Sequence, residues 1–468
     1  MDYDYDVYEN DAHDEGDMYY YPNMYDEDEN EEKSMTFYEV YKHCLKPIFY
    51  DTTSNISHVL LWCLLFRLST QIIKTPNQFQ HVICLATGML SLHMLFSSTF
   101  YYIILLIILS YILLFISTYF QYVKHRGALI VLSSLVFLVV CELWLVDPRQ
   151  WHRIRGPQMI VVMKSVSLAF DLDIGTVKEI PNLVYYSGYM LCPGTCVFGP
   201  WTSYNDYLSI YKQPKWNFMW LRRILCSLGL AFVFLSISTC WCNYVIPDDS
   251  WKWFITYRNA LSFRTSHYFI SFLSEATSML SGCDVSGFNQ EKLVVSRPQL
   301  IEFPRSIINV VIYWNIPMHN WLKVYVFNTS RRFGNFVAIL STYTVSALLH
   351  GVNFQLSAVL LSIGLYSYVE LMIRKKLANV FSACILAKRC KSDCSHRHHH
   401  KQPLVFITNI FFTIITMIHL AYLGVVFDSD NQQEETGYSY HHTLEKWSNL
   451  NYLSHYIAFL TYLMYFFM

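Results

Sequence analysis

Apolar residues in this chain come in long blocks separated by short polar stretches. The blocks lie at about 56–73, 80–97, 99–120, 127–146, 158–170, 181–198, 223–244, 307–327, 336–353, 354–373, 404–427 and 451–467. A run of about 20 apolar residues is long enough to cross the hydrocarbon core of a bilayer as a helix. The pattern predicts an all-α fold: a polytopic transmembrane helical bundle of about 9–12 membrane helices, with re-entrant or interfacial segments. The blocks at 158–170 and 181–198 are short and are expected to be tilted or re-entrant. Irregular backbone at that depth is tolerated only inside protein or against a water-filled cavity. Residues 246–306 interrupt the pattern. There Tyr268-Phe269-Ile270-Ser271-Phe272-Leu273-Ser274-Glu275-Ala276 reads as an amphipathic interfacial helix or a short span.

Composition agrees with a membrane protein. The 468 residues are 53% hydrophobic and 15% charged, against about 25% charged in a soluble domain. The net charge of -1 hides an asymmetry, because residues 1–34 hold 14 acidic residues and one basic residue, Lys33. That acidic, Tyr-rich tail is expected to be disordered, which leaves 35–468 as the membrane domain. Its 33 basic residues against 21 acidic ones suit anionic headgroups or a phosphorylated substrate, or reflect ordinary positive-inside loops. The Lys/Arg-rich loop at 374–401 should be cytosolic on the same rule. The acidic N-terminus lacks an early apolar core, so the first membrane helix is expected to act as the insertion signal.

The 13 cysteines are scattered, many of them (Cys63, Cys84, Cys141, Cys226, Cys240) inside apolar runs. They read as buried free thiols rather than a secreted disulfide framework. No Gly-rich phosphate loop, nucleophile elbow or HExxH occurs, and no motif supports nucleic-acid binding.

His350 closes the apolar run that begins at Phe336. An ionisable side chain in hydrocarbon is costly and marks a functional site by default; the plainer alternative is a helix-end cap. Small residues Ser346 and Ala347 before it permit close helix approach, and Gly351 after it permits a sharp turn. Asn315 lies 35 residues earlier, in Trp314-Asn315-Ile316-Pro317. That stretch reads as a helix break carrying an amide donor, or as part of an interfacial aromatic belt. Phe198-Gly199-Pro200-Trp201 reads as a bent segment lining a cavity, or as a plain loop. Arg331 and Arg332 would meet phosphates or water. Glu142, Asp171 and Asp173 are expected to be structural partners within the bundle. In the stretch from Cys384 to His400, Cys and His are dense without a standard finger spacing. That loop is expected to be solvated and basic, without metal, with Cys384, Cys390 or Cys394 open to palmitoylation.

With the Asn315 and His350 pair in view, the chain resembles the membrane-bound O-acyltransferase superfamily, which pairs such an Asn with a membrane-embedded His some 30 to 40 residues later. Ser346 to Gly351, Phe198 to Trp201, Ser165 to Asp171, Lys388 to His396 and His419 to Gly424 are similar to the protein-serine acyltransferase branch that acts on Wnt proteins. The resemblance spans roughly 40–467. It implies a multi-pass endoplasmic-reticulum enzyme with an internal tunnel, no tightly bound cofactor and palmitoleoyl-CoA as acyl donor. The acceptor would be a Wnt serine hydroxyl, and membrane lipids would surround the bundle. His350 would be the general base, with His419 its rival in an apolar run. Asn315 would hold the oxyanion or the thioester. Trp314 and Phe198 to Trp201 would line the acyl or CoA channel, with Arg331 and Arg332 at the CoA phosphates. The alternatives are an acyltransferase for another protein or a lipid hydroxyl, and a transporter with an intramembrane His.

Overall fold

A computed structural model describes residues 36–72, 77–120, 125–212, 218–283, 293–391, 394–427 and 440–468. The expected disordered tail, 1–34, lies outside the described residues. Among the described residues the protein is helical throughout, with one isolated β-bridge, between Ala383 and His398. The helices that matter below are α1 (Lys46–Ile72), α2 (Asn77–Phe96), α3 (Tyr101–Tyr119), α4 (Arg126–Val140), α5 (Pro148–Ile174), α6 (Leu183–Met190), α7 (Pro193–Cys196), α8 (Phe218–Ser236), α9 (Lys252–Ser281), α10 (Ile307–Trp314), α11 (Ile316–Trp321), α12 (Asn335–Leu349), α13 (Phe354–Val380), α14 (Pro403–Gly424), α15 (Tyr440–Asn449) and α16 (Leu453–Phe467).

Among the described residues, five helical stretches are long and apolar enough to cross a membrane: Gln78–Tyr119, Arg126–Leu145, Phe218–Val245, Phe354–Val380 and Pro403–Phe427. Two shorter apolar helices, Asn335–Leu349 and Leu453–Phe467, accompany them. On α3, Leu105, Ile108, Ile112, Phe115 and Ile116 are exposed, as befits side chains whose solvent is lipid. The block at 181–198 is broken, as its Gly and Pro content predicts, into α6 and the single turn α7.

Two long helices are not lipid-facing spans at all. α5 starts on an Asp147 cap with Pro148 at its first position, and most of its residues from Trp151 to Leu172 are buried. Its Lys164 is fully buried and donates to the Tyr189 and Met190 carbonyls and to Thr195 Oγ1 at 2.9, 3.2 and 2.9 Å. Those three bonds answer the buried ammonium's donors and fix the irregular backbone between α6 and α7.

The other is α9. The piece expected to be an interfacial helix or a short span, 268–276, lies in the middle of this 30-residue helix, which packs against α8, α14, α1 and α7. The correction has a simple cause. A helix enclosed by protein needs no apolar face, only neighbours that satisfy its polar groups. Its serine and threonine row supports close packing: Thr277 and Ser278 hydroxyls donate to the Gly194 carbonyl at 3.2 and 3.1 Å. A Cβ on Gly194 would lie 1.9 Å from Ser281 Oγ, so only glycine allows this approach. Arg264 forms a bidentate pair with Glu302 (2.8 and 2.9 Å), and Tyr268 donates to the same carboxylate at 2.7 Å. Such fork-to-fork pairs are geometrically specific; this one fixes the segment after α9 to its side. Cys240, expected to be a free buried thiol, is joined to Cys44 by a disulfide.

Candidate active site

His350 is the C-terminal cap of α12, and its backbone N–H still reaches the Ala347 carbonyl at 3.1 Å. The chain turns at once through Gly351, whose φ is +99°. What fixes this turn is Glu142, in a widened π-helical turn, Cys141–Leu145, at the end of α4. Its Oε2 accepts from the Val352 N–H at 2.6 Å. A Cβ on Gly351 would lie 2.8 Å from Glu142 Oε1. The glycine is therefore required twice, by the left-handed backbone and by the carboxylate against it. Arg155 of α5 faces Glu142 electrostatically, and its charge also acts on His350.

Asn315 breaks the helix where expected. Its φ and ψ of -145° and 91° are extended, so it ends α10 and caps α11, accepting from Met318 N–H through Oδ1 at 3.0 Å. With Oδ1 committed to the cap, Nδ2 is the group left to donate to a ligand. A break at this depth frees backbone groups that need partners. Residues 293–297 supply them: Ile316 N–H donates to the Val295 carbonyl at 2.8 Å, and Arg297 N–H donates to the Tyr313 carbonyl at 3.1 Å. Val295 is held in turn by Glu275 Oε1, 2.7 Å from its N–H.

His267, Ser271 and Glu275 follow one another at every fourth position along α9, so they share one face, and that face meets the break. His267 stacks on Trp314, with ring centroids 4.3 Å apart and planes 8° apart. Its Nε2 lies 3.0 Å from the Trp314 carbonyl. A carbonyl only accepts, so Nε2 carries the proton and Nδ1 of the neutral ring is an acceptor. Ser271 Oγ donates to the His267 carbonyl at 2.9 Å. His267 thus touches Trp314, the residue beside Asn315. Among the described residues no hydrogen bond joins Asn315 and His350 directly.

The remaining candidates fall in two places. Phe198 to Trp201 packs into the core against α5 and α9: Ser278 Oγ donates to the Gly199 carbonyl at 3.5 Å, and Trp201 Nε1 donates to Ser167 Oγ at 3.1 Å. Trp201 also meets Tyr325 edge-on, and Tyr325 donates to Asp171 at 3.1 Å. Asp171 is therefore a structural partner, as is Asp173, which pairs with Arg126 and accepts from Gly127 N–H. Arg331 and Arg332, by contrast, are exposed in a short turn before α12. They sit at the opposite end of this 15-residue helix from His350, roughly 22 Å along its axis.

His419 does not join the His350 group. It is buried in α14 against Tyr366, ring centroids 4.6 Å apart, and lines a cavity of about 20 Å³ with Glu370 and Thr416. That volume holds a water molecule, not an acyl chain. A wider groove of about 1000 Å³, lined by residues including Lys42, Phe49, Phe232 and Cys240, contains none of the candidate residues.

Sequence reasoning passed over His267 because its helix reads as interfacial. The available signal was the four-residue repeat His267, Ser271, Glu275 within a long helix. Glu142 and Arg155 gave less notice, since each lies some 200 residues before His350.

The arrangement offers an imidazole on a turn clamped by a carboxyl group, and an amide donor at a helix break. These are the parts of a site that accepts a proton from a hydroxyl and supports negative charge on oxygen. The family model for MBOAT, the membrane-bound O-acyltransferase family, matches residues 89–392, which include Glu142, His267, Asn315 and His350. The chain is 40% identical over 450 residues to protein-serine O-palmitoleoyltransferase porcupine of Mus musculus, covering 90% of this chain and 96% of the relative. The Homo sapiens protein of the same name matches to the same extent, and that of Anopheles gambiae is 36% identical over 471 residues, 93% of this chain and 94% of the relative. The chain belongs to the membrane-bound O-acyltransferase family and is a multi-pass membrane acyltransferase.

Proposed function

We propose that this protein transfers a palmitoleoyl chain from palmitoleoyl-CoA to a serine hydroxyl of a Wnt protein, in the endoplasmic-reticulum membrane. Residues 35–468 form the acyltransferase body, and a tunnel through the bundle brings donor and acceptor to His350 from opposite sides. His350 takes the hydroxyl proton as the serine oxygen attacks the thioester carbonyl. An oxygen–carbon bond forms, the carbon–sulfur bond breaks, and the proton leaves with the CoA thiol. The thioester is already activated, so direct attack needs no acyl-enzyme. Asn315 Nδ2 donates to the developing oxyanion. Trp314 and Phe198 to Trp201 line the channel for the acyl chain or pantetheine, and keep water from the thioester. Arg331 and Arg332, at the far end of α12, reach the CoA phosphates when the cofactor lies stretched along that helix.

The observation that carries this reading is the turn at His350, clamped by Glu142 through the Val352 N–H. Rigid positioning of a general base is what acyl transfer requires. The test uses purified full-length protein, labelled palmitoleoyl-CoA and a serine-bearing Wnt hairpin peptide, with a lysophospholipid as competing acceptor. Labelled peptide ester is expected, lost in His350→Ala. Esterification of the lysophospholipid in preference to the peptide would point to a lipid hydroxyl as the acceptor. A parent-like rate in His350→Ala would sink the mechanism.

A further inference from the structure

The loop between α13 and α14, which the spacing alone assigns to solvated basic chain, is folded. Cys384 is buried, and Cys390, Cys394 and His396 are half-buried. Their three Sγ atoms and a ring nitrogen of His396 all lie within 4.8 Å of one another. Cys384 Sγ is 3.4 Å from Cys394 Sγ and 3.9 Å from His396 Nδ1, and Cys390 Sγ is 3.8 Å from the same nitrogen. With Zn–S near 2.3 Å and Zn–N near 2.0 Å, the edges of a zinc tetrahedron are about 3.5–3.8 Å. The three separations given, 3.4–3.9 Å, lie within about 0.4 Å of those edges, so the four atoms need only small shifts to close on an ion. Thiols are weak hydrogen-bonding groups, so mutual hydrogen bonding is a poor reason for three of them to converge on one imidazole.

The backbone around the cluster is braced. Cys384 N–H donates to the His398 carbonyl and His398 N–H to the Ser382 carbonyl, each at 2.9 Å. Arg305 Nη2 and Asn409 Nδ2 donate to the Cys384 carbonyl at 2.9 and 3.3 Å. The sulfur separation of 3.4 Å is far outside a disulfide bond. Burial of Cys384 also argues against its modification by a lipid chain.

We propose that Cys384, Cys390, Cys394 and His396 bind a structural zinc ion through three thiolates and His396 Nδ1. Soft thiolate ligands with one imidazole select zinc over magnesium or calcium. Four protein ligands leave no open position, so the ion's role is structural. Three thiolates and Zn²⁺ leave one negative charge, which Arg305 faces, since its charge acts on both Cys384 and Cys390. Binding releases the thiol protons to solvent. The ion would tie this loop to the start of α10, because Arg305 Nε donates to the Leu386 carbonyl and Ser306 Oγ to the Ala387 carbonyl at 3.0 and 3.2 Å. α10 runs from there to Asn315. The inference does not rest on the acyltransferase reading.

The test measures metal, not transfer. Full-length protein purified without added metal should release about one zinc per chain when its thiols are titrated with a mercurial. Exchange of the wild-type ion for Co²⁺ should give thiolate charge-transfer bands and the visible bands of a tetrahedral site, a readout that needs no variant. Cys394→Ser and His396→Ala should lose or alter that spectrum. His399→Ala should keep it, although His399 Nδ1 is 3.9 Å from Cys394 Sγ. Metal-free wild-type protein, a mapped Cys384–Cys394 disulfide, or hydroxylamine-labile acyl groups on these cysteines would each overturn the proposal. Loss of the spectrum in His399→Ala but not in His396→Ala would overturn the ligand set.

Discussion

Glu142 and Val352, 210 residues apart in sequence, are joined by a 2.6 Å hydrogen bond from the Val352 N–H to Glu142 Oε2. The bond spans the turn that carries His350. It makes Glu142 a positioning residue: it acts on the imidazole through the backbone. Glu142→Gln keeps an acceptor oxygen for Val352 and should retain most turnover. Glu142→Ala removes it and should lower kcat by ~10–100-fold, since small misplacements of a reacting group are that costly. The two rates, with a thermal melt of each variant, check this; equal loss in both variants would mean that the carboxylate charge, not the hydrogen bond, matters.

Gly351→Ala should be destabilising by more than ~1 kcal/mol, because it combines a positive φ with a collision against Glu142. Part of that cost should vanish when Glu142 is also shortened. A double-mutant cycle of Gly351→Ala and Glu142→Ala measured by thermal unfolding should therefore show coupling. Strict additivity would mean that the carboxylate moves aside.

Asn315 does two things that can be separated. Its Oδ1 caps α11 and its Nδ2 is the proposed oxyanion donor. Asp is as good an N-cap as Asn but has no amide. Asn315→Asp should keep the parent's melting temperature while turnover falls by ~10²–10³-fold, the usual loss for one oxyanion donor. Asn315→Ala should lose turnover and about 1 kcal/mol of stability besides. Full turnover in Asn315→Ala, which has no donor in any protonation state, would rule out the donor role.

His267→Phe tests the bond that holds the helix break beside Asn315. Phe can preserve the stack on Trp314 but not the bond to its carbonyl. The Trp314 carbonyl then loses its donor at the break, so thermal unfolding should show a loss of about 1 kcal/mol or more, with kcat down by ~10-fold as the break shifts. A KM change alone would assign His267 to substrate binding instead.

For Arg331 and Arg332, exposed some four helical turns from His350, the expectation is a split. The double alanine variant should raise KM for palmitoleoyl-CoA and leave kcat nearly unchanged, as loss of uniform binding does. An unchanged KM across a salt series would show that these cations face water only.

How far the sequence reached follows from what each residue's cost depends on. An imidazole at the end of an apolar run, or an amide beside a proline inside one, is conspicuous wherever the helix packs, so His350 and Asn315 were legible, as was the helical membrane bundle. Solvent leaves that mark on a sequence, because hydrocarbon penalises every polar position alike. Glu142 carries that mark too, as an acid inside an apolar run, but nothing local names its partner; Arg155 and His267 carry none. Each is tolerable only because of a partner on a distant element, and apolar periodicity reports the medium around a residue, not its partners. For the same reason α9 reads as an interfacial helix although it runs through the middle of the bundle: protein neighbours, not lipid, satisfy its serines and its Arg264. The four ligand atoms of the loop after α13 follow no standard spacing, and converge because the Ala383–His398 bridge and Arg305 fold the chain back on itself. Local sequence thus determined where polar groups sit in the apolar bundle; tertiary packing alone decided which of them meet.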